Sequence, residues 1–231
     1  MTYTLILGDP AYSSWSLRAW LLFDRFNLPM TTKWVAFQSD LSVSEQLPEY
    51  PTAKTVPTLV ATDGTVLGDS LAIAEELASR HPTVGFWPQT PVARATARSL
   101  AAEMHSGFGA LRSDCPMNLR CAFSGYTPSK DVQIDVDRIQ LVWTEARSRY
   151  ADKGPWLCGE YSIADAFFAP VAARFAGYGI ALNAVAQTYV DAHLSDASFL
   201  KWRAFGLTQG PDLQRYAKPF EQVAWAGPSE N

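Results

Sequence analysis

Three serines stand close together near the start of the chain, within residues 11–18, which read AYSSWSLR. Ser13, Ser14 and Ser16 follow a short apolar run and precede a longer one, so they fall where a loop becomes a helix. A hydroxyl at such a place can cap the helix, or it can hold a bound anion together with the free amides of the first turn. Serine clusters most often only cap and turn, and this stretch alone leaves both interpretations open.

The spacing inside the cluster predicts different roles for the three side chains. Ser16 is followed at once by residues with helical periodicity, so we expect it in the first turn. Ser14, directly before Trp15, is the expected N-cap. Ser13 would then stand outside the helix, in the loop that leads into it, where its hydroxyl and the first free amides can converge on one ligand atom.

A second polar pair, Asp69 and Ser70, begins another predicted helix. Both residue types favour the N-cap, which is the structural interpretation. The same geometry also attracts a carboxylate, because the unpaired amides and the positive end of the helix dipole point at it. The two interpretations are compatible with each other.

Motifs for several other chemistries are missing from the sequence. There is no G-x-S-x-G, no phosphate-binding loop and no dinucleotide fingerprint. The three cysteines, Cys115, Cys121 and Cys158, form no C-x-x-C pair, and the three histidines lie far apart, so we expect no metal site. The odd cysteine count and the lack of a basic leader fit a reducing cytoplasm.

Charge and hydropathy exclude two classes of partner. The net charge is −4 and no basic stripe appears, so we expect no nucleic-acid binding. The longest apolar region, 164–187, is interrupted by Asp165 and Arg174, and we interpret it as a buried helix rather than a membrane span.

The predicted strands and helices that must position these residues fall into two groups. Strands are predicted at 3–7, 32–37, 58–62 and 65–67, and helices at 15–26 and 70–80. Arg18 and Arg25 are expected on the exposed side of the first helix. Asp63-Gly64 predicts a two-residue type I′ turn between the last two strands. The order β-α-β-β-β-α describes a small sheet with helices on its faces.

The second group is helical. Residues 82–91 hold three prolines and read as a linker, because proline resists helix continuation. Beyond it, amphipathic patterns predict long helices over 92–112 and 130–150, a third helix that opens at Ser162-Ile-Ala-Asp165, and shorter ones near 185–194 and 197–205. The predicted domains are therefore 1–81 and 92–231, with the linker between them.

Three stretches in this layout resemble the soluble glutathione transferases. Residues 55–59, TVPTL, resemble the family's V-P-x-L; residues 69–73, DSLAI, resemble its (E/D)-S-x-A-I; and residues 162–165 resemble its interior S/T-x-x-D helix cap. Residues 13–18 further resemble the S-S-C-S-W-R stretch of the zeta class, with Trp15 in place of the cysteine. The chain is thus identified as a bacterial serine-type member, with a thioredoxin-like domain followed by an all-helical domain.

The resemblance implies a binding site for glutathione as co-substrate, with no metal. It implies a cis bond before Pro57, leaving the Val56 main chain free to pair with the peptide, while Ser70 holds the γ-glutamyl carboxylate and Asp69 faces the ammonium group. Asp69 is one methylene shorter than the family's usual glutamate. Lys54 is the candidate for the glycyl carboxylate, although the family's basic residue directly precedes the valine and here a threonine intervenes.

The resemblance also names candidate catalytic and acceptor residues. Ser13 lies five residues before Arg18, as the catalytic serine does in zeta-type sequences, and Ser14 is the second candidate. The electrophile pocket is expected at Met104, Phe108, Arg112 and Met117, although methionine and phenylalanine at helical spacing are more often core. The lack of a cysteine near the first helix disfavours the thiol-type enzymes.

The expected function is conjugation of the glutathione thiolate to a small electrophile, as in detoxification. One alternative is a glutathione-dependent cis–trans isomerase like maleylacetoacetate isomerase, and another is a binding protein of the same fold without turnover. The resemblance implies a homodimer in the cytoplasm, with no membrane or nucleic-acid partner.

Overall fold

The computed structural model describes residues 2–225 and residue 227, so Met1, Ala226 and residues 228–231 of the predicted domains lie outside the described residues. The first part of the chain forms a mixed sheet with two helices. Its elements are β1 (Tyr3–Leu7), α1 (Ser14–Arg25), β2 (Met30–Trp34), β3 (Thr58–Val60), β4 (Val66–Gly68) and α2 (Ser70–Arg80). The predicted order of strands and helices is confirmed.

The sheet has the strand order β2-β1-β3-β4. β1 runs parallel to β2 and antiparallel to β3, and β3 runs antiparallel to β4. The parallel pair needs a crossover connection, which α1 supplies. Leu5 and Leu7 on β1 pack with Leu17 of α1 and Ile73 of α2 in one buried cluster, so both helices are fixed against the sheet.

The turn between β3 and β4 differs from the type I′ turn that the sequence predicts. A type I′ turn needs positive φ at both central residues, but only Gly64 has it, at +87°. Ala61 instead accepts the Gly64 N–H at 2.9 Å, and Asp63 uses its own carboxylate to accept the Thr65 N–H at 3.0 Å. This local bond from an aspartate to the backbone two residues on favours the longer loop.

The rest of the chain is mainly helical. It contains α3 (Pro91–Ser106), α4 (Gly109–Asp114), α5 (Lys130–Tyr150), α6 (Ile163–Gly177), α7 (Ala184–Leu194) and α8 (Ala197–Thr208), with two short 3₁₀ helices at Ala151–Lys153 and Gln214–Tyr216. In the part of the chain that the structure describes, no helix combines the length and apolar character that crossing a membrane requires.

The single helix predicted over 92–112 is broken into α3 and α4. Gly107 ends α3 by donating its N–H to Glu103 O at 2.8 Å, and Phe108 follows in the left-handed region with φ +57°. A Cβ at position 107 would approach Glu103 O to 2.7 Å, so glycine permits this tight exit. The Phe108 ring is buried near Phe168, which compensates for its unusual backbone.

α6 is the centre of the helical part and packs against α1, α3 and α7. Ser162 is its N-cap, as predicted. The buried Asp165 carboxylate accepts four hydrogen bonds: from Leu157 N at 3.0 Å, from Ser162 N at 2.9 Å, from Ser162 Oγ at 3.0 Å and from Tyr189 Oη at 2.9 Å. Asp165 therefore fixes the start of the helix to the preceding loop and to α7.

A short strand pair, which the sequence did not predict, fastens the C-terminal segment. β5 (Ala122–Ser124) pairs antiparallel with β6 (Glu221–Val223). Close by, Arg120 donates to the carbonyls of residues 206, 209 and 210 and to Asp212 Oδ1, at 2.7 to 2.9 Å. These contacts place Tyr216 against Tyr12, with ring centroids 4.5 Å apart. The C-terminal segment therefore lies beside the loop that leads into α1.

Candidate active site

The loop from β1 into α1 presents the serine cluster. A turn in which Asp9 O accepts the Ser13 N–H at 2.8 Å reverses the chain, and α1 begins at Ser14. The N-cap is Ser13, whose Oγ accepts the Ser16 N–H at 3.3 Å. The expectation of Ser14 as N-cap was therefore wrong by one residue, because the turn lets the helix begin earlier. Ser16 lies in the first turn, as predicted.

The serine hydroxyls have separate partners. Ser13 Oγ donates to Ser16 Oγ at 2.8 Å, and the Gly8 N–H donates to the same Ser16 oxygen at 2.9 Å. Ser14 Oγ instead accepts from Arg174 Nη2 on α6, at 3.3 Å. The two hydroxyls at the start of α1 are thus held by separate groups. Ser16 contacts the Ser13 hydroxyl, and Arg174 of the helical domain contacts the Ser14 hydroxyl.

A cavity of about 380 Å³ opens in front of these serines, between the two parts of the chain. Its N-terminal wall consists of Tyr12, Ser13, Ser14, Trp15, Phe37 and Val56. Its opposite wall includes Arg112, Met117 and Arg174, together with Tyr216 from the C-terminal segment. Both candidate catalytic serines therefore share one cavity with Val56.

The Val56–Pro57 peptide bond is cis, as expected. Among the described residues, neither the N–H nor the C=O of Val56 has a hydrogen-bond partner. Gly8 lies directly beneath: a Cβ there would come within 2.8 Å of Val56 Cγ2 and 2.4 Å of Phe37 Cε1. Glycine thus permits close packing under this edge, where the free Val56 main chain can pair with an extended peptide.

α2 begins with the second polar pair. Asp69 is the N-cap; its Oδ1 accepts the N–H groups of Leu71 at 2.7 Å and Ala72 at 3.2 Å. Its φ of +68° is strained for a residue other than glycine, and such strain clusters at ligand sites. Ser70 is fully buried, and within the described part of the chain its Oγ has no hydrogen-bond partner. A buried hydroxyl left unpaired is costly, which makes Ser70 a candidate contact for a ligand atom, although neither Ser70 nor Asp69 is among the residues that line the cavity.

His105 on α3 contacts the same site from the second domain. Its Nε2 lies 3.3 Å from Asp69 Oδ2. Desolvation lowers the pKa of His105, although Asp69 opposes this effect. The contact places a titratable ring directly beside the Asp69 carboxylate. The sequence analysis did not identify this residue.

The remaining predicted site residues separate into two sets. Arg112 and Met117 line the cavity, whereas Met104 and Phe108 are buried in the core and do not line it. Met104 belongs to α3 and Phe108 is the N-cap of α4, whereas Arg112 lies within α4 and Met117 follows it. Lys54 is exposed in the loop before Val56 and lies outside the cavity.

Arg18 does not lie on the exposed side of α1, as the sequence analysis expected. It is only 1% exposed, and its guanidinium carbon lies 4.4 Å from the Trp15 ring centroid and 5.1 Å from that of Phe167. The expectation was wrong because α1 is covered twice, by the sheet on one side and by α6 of the helical part on the other.

Residues 12–80 match the family model described as the glutathione S-transferase N-terminal domain. This stretch of the chain is therefore similar to the N-terminal domain of the glutathione S-transferases. The chain is 30% identical over 142 residues to a probable maleylacetoacetate isomerase of Caenorhabditis elegans, a match that covers 60% of the chain and 64% of that relative. The chain thus spans slightly less than two thirds of that curated relative's length.

Solved glutathione transferases share the fold. A glutathione transferase homolog from Burkholderia, solved with bound glutathione, is 22% identical and has a TM-score of 0.65, covering 87% of this chain and 96% of that one. Glutathione transferase Omega 3C from Trametes versicolor is 17% identical, with a TM-score of 0.67 and coverage of 94% and 92%. At these identities the likeness establishes the glutathione transferase fold.

Sequence reasoning missed several residues that line the cavity, among them Trp15, Arg174 and Tyr216. Arg174 carried a signal, because an arginine inside an otherwise apolar helix needs a partner or a function. Tyr216 carried none, since its segment lacks periodicity. Across residues 2–225 and 227, no group of three or more histidine, cysteine or acidic side chains is arranged to hold a metal ion.

Proposed function

We propose that this protein is a glutathione transferase that joins the glutathione thiolate to a small electrophile. The observation that carries the proposal is one cavity in which the hydroxyls at the start of α1 meet the unpaired main chain of Val56. A thiol held by that main chain would lie beside Ser13 and Ser14 and at the positive end of the α1 dipole.

The residues present fit glutathione. The Val56 main chain can pair with the cysteinyl peptide groups as an added strand. The Ser70 hydroxyl can donate to the γ-glutamyl carboxylate, which relieves an otherwise unpaired buried group. Asp69, which lies beside His105, can accept from the ammonium group. Lys54, two residues before Val56, remains the candidate for the glycyl carboxylate from its exposed loop.

Activation of the thiol is assigned to the Ser13–Ser16 pair. A hydroxyl can donate one hydrogen bond. The Ser13 hydroxyl donates its hydrogen bond to Ser16 Oγ, and the Ser16 hydroxyl has no acceptor among the described residues. When a thiolate arrives, the pair can reverse: Ser16 donates to Ser13, and Ser13 donates to the sulfur. The Gly8 N–H and the Ser16 N–H polarise this chain, which strengthens the terminal donor.

The magnitude of this stabilisation is sufficient. A free thiol has a pKa of about 8.5, and lowering it to about 6.5 requires about 2.7 kcal/mol of preference for the anion. A charge-assisted hydrogen bond contributes about 1.5–3 kcal/mol, and a helix N-terminus adds about 0.3–1 kcal/mol. The thiol proton passes to solvent. The sulfur then bonds to the electrophilic carbon, and the leaving group departs with its electron pair.

The proposed function is tested by two measurements on the purified protein. We expect retention on immobilised glutathione, and we expect consumption of free thiol when 1-chloro-2,4-dinitrobenzene and a panel of other electrophiles are supplied. Retention without turnover of any electrophile would instead identify a binding protein of this fold. Failure to bind glutathione would refute both activities.

A glutathione-dependent isomerase is the second candidate. The 30% identity to a probable maleylacetoacetate isomerase and the zeta-like stretch at 13–18 favour it. In that reaction the thiolate adds to a double bond, rotation follows and the sulfur leaves again, so glutathione is regenerated. Conversion of a cis-enone diacid to its trans isomer without loss of thiol would select this reaction over conjugation.

Replacing Ser70 with alanine should weaken glutathione binding about 10- to 100-fold, because the ligand carboxylate loses a charged hydrogen bond. The midpoint of thermal unfolding should hardly change, since the hydroxyl has no partner in the described chain and Asp69 still caps α2. Titration calorimetry and thermal unfolding measure the two effects. Ser79→Ala, at an exposed position of the same helix, is the control. An unchanged dissociation constant would remove Ser70 from the site.

We also propose that the protein is a homodimer in the cytoplasm. Large apolar side chains are exposed on α3 and α5, namely Val92, Ile134 and Leu141, at 54 to 67% of their area, and a second copy could cover them. The three cysteines are free thiols, which fits a reducing compartment. Sedimentation at micromolar concentration measures the assembly, and a monomer there would contradict it.

A further inference from the structure

A second cavity, of about 260 Å³, lies where three segments meet: the loop between β1 and α1, the residues at the end of β2, and the chain that follows α8. Its lining includes Asp9, Trp34, Phe37, Gly210 and Pro211. Phe37 also lines the cavity in front of the serines, whereas the other lining residues of the two cavities differ. This second cavity, which we call the Asp9 cavity, is therefore a neighbour of the candidate active site and not a part of it.

Asp9 is the only charged residue that lines this cavity in the described part of the chain, and it is just 6% exposed. Its Oδ1 accepts the Ala11 N–H at 3.0 Å. Among the described residues, no nitrogen of a lysine, arginine or histidine side chain lies within 4.0 Å of either carboxylate oxygen. A carboxylate that is removed from water without a cationic partner is costly. The Asp9 cavity therefore carries a negative charge that lacks a direct partner in the described protein.

The turn of the loop accounts for only one of the two carboxylate oxygens. The bond from Oδ1 to the N–H two residues on is a local turn that an asparagine would form equally well and without a charge. Asp9 Oδ2 has no hydrogen-bond partner among the described residues, and it lies beside Gly210, where an added Cβ would approach it to 2.5 Å. Because Gly210 also lines the cavity, Oδ2 stands at the cavity wall and can accept a hydrogen bond from a molecule inside.

The more distant charges do not replace such a partner. Burial raises the pKa of the Asp9 carboxyl by more than the Ala11 N–H, Arg120 and Arg215 together lower it. Arg120 is itself paired with Asp212, at 2.7 Å. Arg215 is exposed to water, which screens its charge. A cation inside the cavity would therefore be attracted by the nearby carboxylate and repelled only weakly by the two arginines.

An aromatic ring completes a site for a cation. The Trp34 ring packs against Trp202 and Phe205, with centroids 5.8 and 6.0 Å away, so its position is fixed. An indole attracts a cation to its face more strongly than the other side-chain rings do. Among the described residues no cationic side chain lies over Trp34, whereas Arg215 already lies over Phe37, with its guanidinium carbon 5.1 Å from the ring centroid. Trp34 is thus the ring that remains for a ligand.

We infer that the Asp9 cavity binds a small organic ammonium ion. The N–H groups of this ion donate to Asp9 Oδ2, its charge lies near the Trp34 ring, and its apolar part contacts Val35 and Pro211. The volume of about 260 Å³ is below the roughly 300–1,000 Å³ of sites for drug-sized ligands, so it suits a compact amine. The inference uses none of the residues assigned to glutathione and is independent of the proposed function.

The test compares benzylammonium with benzyl alcohol, its neutral counterpart of nearly the same shape. NMR titration at pH 7 should show that the wild-type protein binds benzylammonium about 10-fold or more tightly than the alcohol. Asp9→Asn keeps the turn to Ala11 but removes the charge. It should therefore abolish this preference and change the affinity for the alcohol by no more than about twofold. Asp40→Asn, which removes the same charge from an exposed position after β2, is the matched control and should leave the preference intact.

The indole N–H signals of the eight tryptophans show where the amine binds. Benzylammonium should shift the signal that is missing in Trp34→Phe and leave the signal of Trp15, in the candidate active site, unchanged. This measurement on the wild-type protein tests the inference even if Asp9→Asn does not fold. Equal binding of the amine and the alcohol, or no binding of either, would overturn the inference. A preference that survives in Asp9→Asn, or a shift confined to the signal of Trp15, would overturn it as well.

Discussion

Ser13→Ala should lower kcat/KM for conjugation by about 100-fold or more while glutathione still binds. Removal of one preorganised donor to a developing or bound anion typically costs about 10²–10³ in rate. The ultraviolet absorbance of the bound thiolate, followed against pH, should show the thiol pKa returning toward about 8.5. Because Ser13 is also the N-cap of α1, the variant should lose about 1 kcal/mol of unfolding free energy.

Two neighbouring variants make this result interpretable. Ser16→Ala removes the group that supports Ser13 from beneath, so it should raise the thiol pKa by less than Ser13→Ala does. Ser14→Ala should leave the thiolate signal in place, because Ser14 is held by Arg174 and takes no part in that chain. If Ser14→Ala abolishes the signal while Ser13→Ala preserves it, the activating hydroxyl is Ser14 and the assignment to Ser13 is wrong.

Asp165→Ala should lower the free energy of unfolding by about 3–5 kcal/mol, a large part of the roughly 5–15 kcal/mol of a typical domain. The substitution leaves the Leu157 N–H, the Ser162 N–H and the Tyr189 hydroxyl unpaired in a fully buried place. Denaturant unfolding measures the loss. The effect should reach the active site, because α6 carries Arg174.

Asp165→Asn is the matched variant for this prediction. The amide keeps one acceptor oxygen but turns an N–H₂ group toward some of the same donors, so we expect a smaller loss than with alanine. A decrease below about 1 kcal/mol in Asp165→Ala would show that water or a local rearrangement satisfies these groups. Asp165 would then not be the residue that fixes the start of α6.

Local sequence signals predicted most of the fold. The bounds of α2 and α5, the N-cap of α6 and the order of strands and helices along the first part of the chain follow from periodicity, capping residues and proline, which act over a few residues. The break between α3 and α4 did not follow, because it depends on one glycine and on a phenylalanine that packs against α6. The β5–β6 pair joins residues about a hundred positions apart, and no local pattern encodes such a contact.

The candidate site divides in the same way. Motifs that resemble those of the glutathione transferases pointed to Ser13, Val56 and Ser70 in the sheet domain. Arg18 was misplaced because a single helix does not show that a second domain covers its other side. Arg174 and Tyr216 reach the cavity only through the packing of α6 and the fastening of the C-terminal segment. The positions of both residues therefore depend on contacts between the two parts of the chain.

The two walls of the cavity are encoded in separate stretches of the chain. The wall assigned to the thiol lies within residues 12–56, whereas the wall assigned to the electrophile is built from residues 109–117, Arg174 and Tyr216. Mutation or recombination in the second set of residues can thus change which electrophile binds without altering the residues that hold the thiol. Descendants of such a gene could therefore come to use different electrophiles while they keep the same thiol-binding site. Chimaeras of two relatives should exchange their preference for electrophiles when these segments are exchanged.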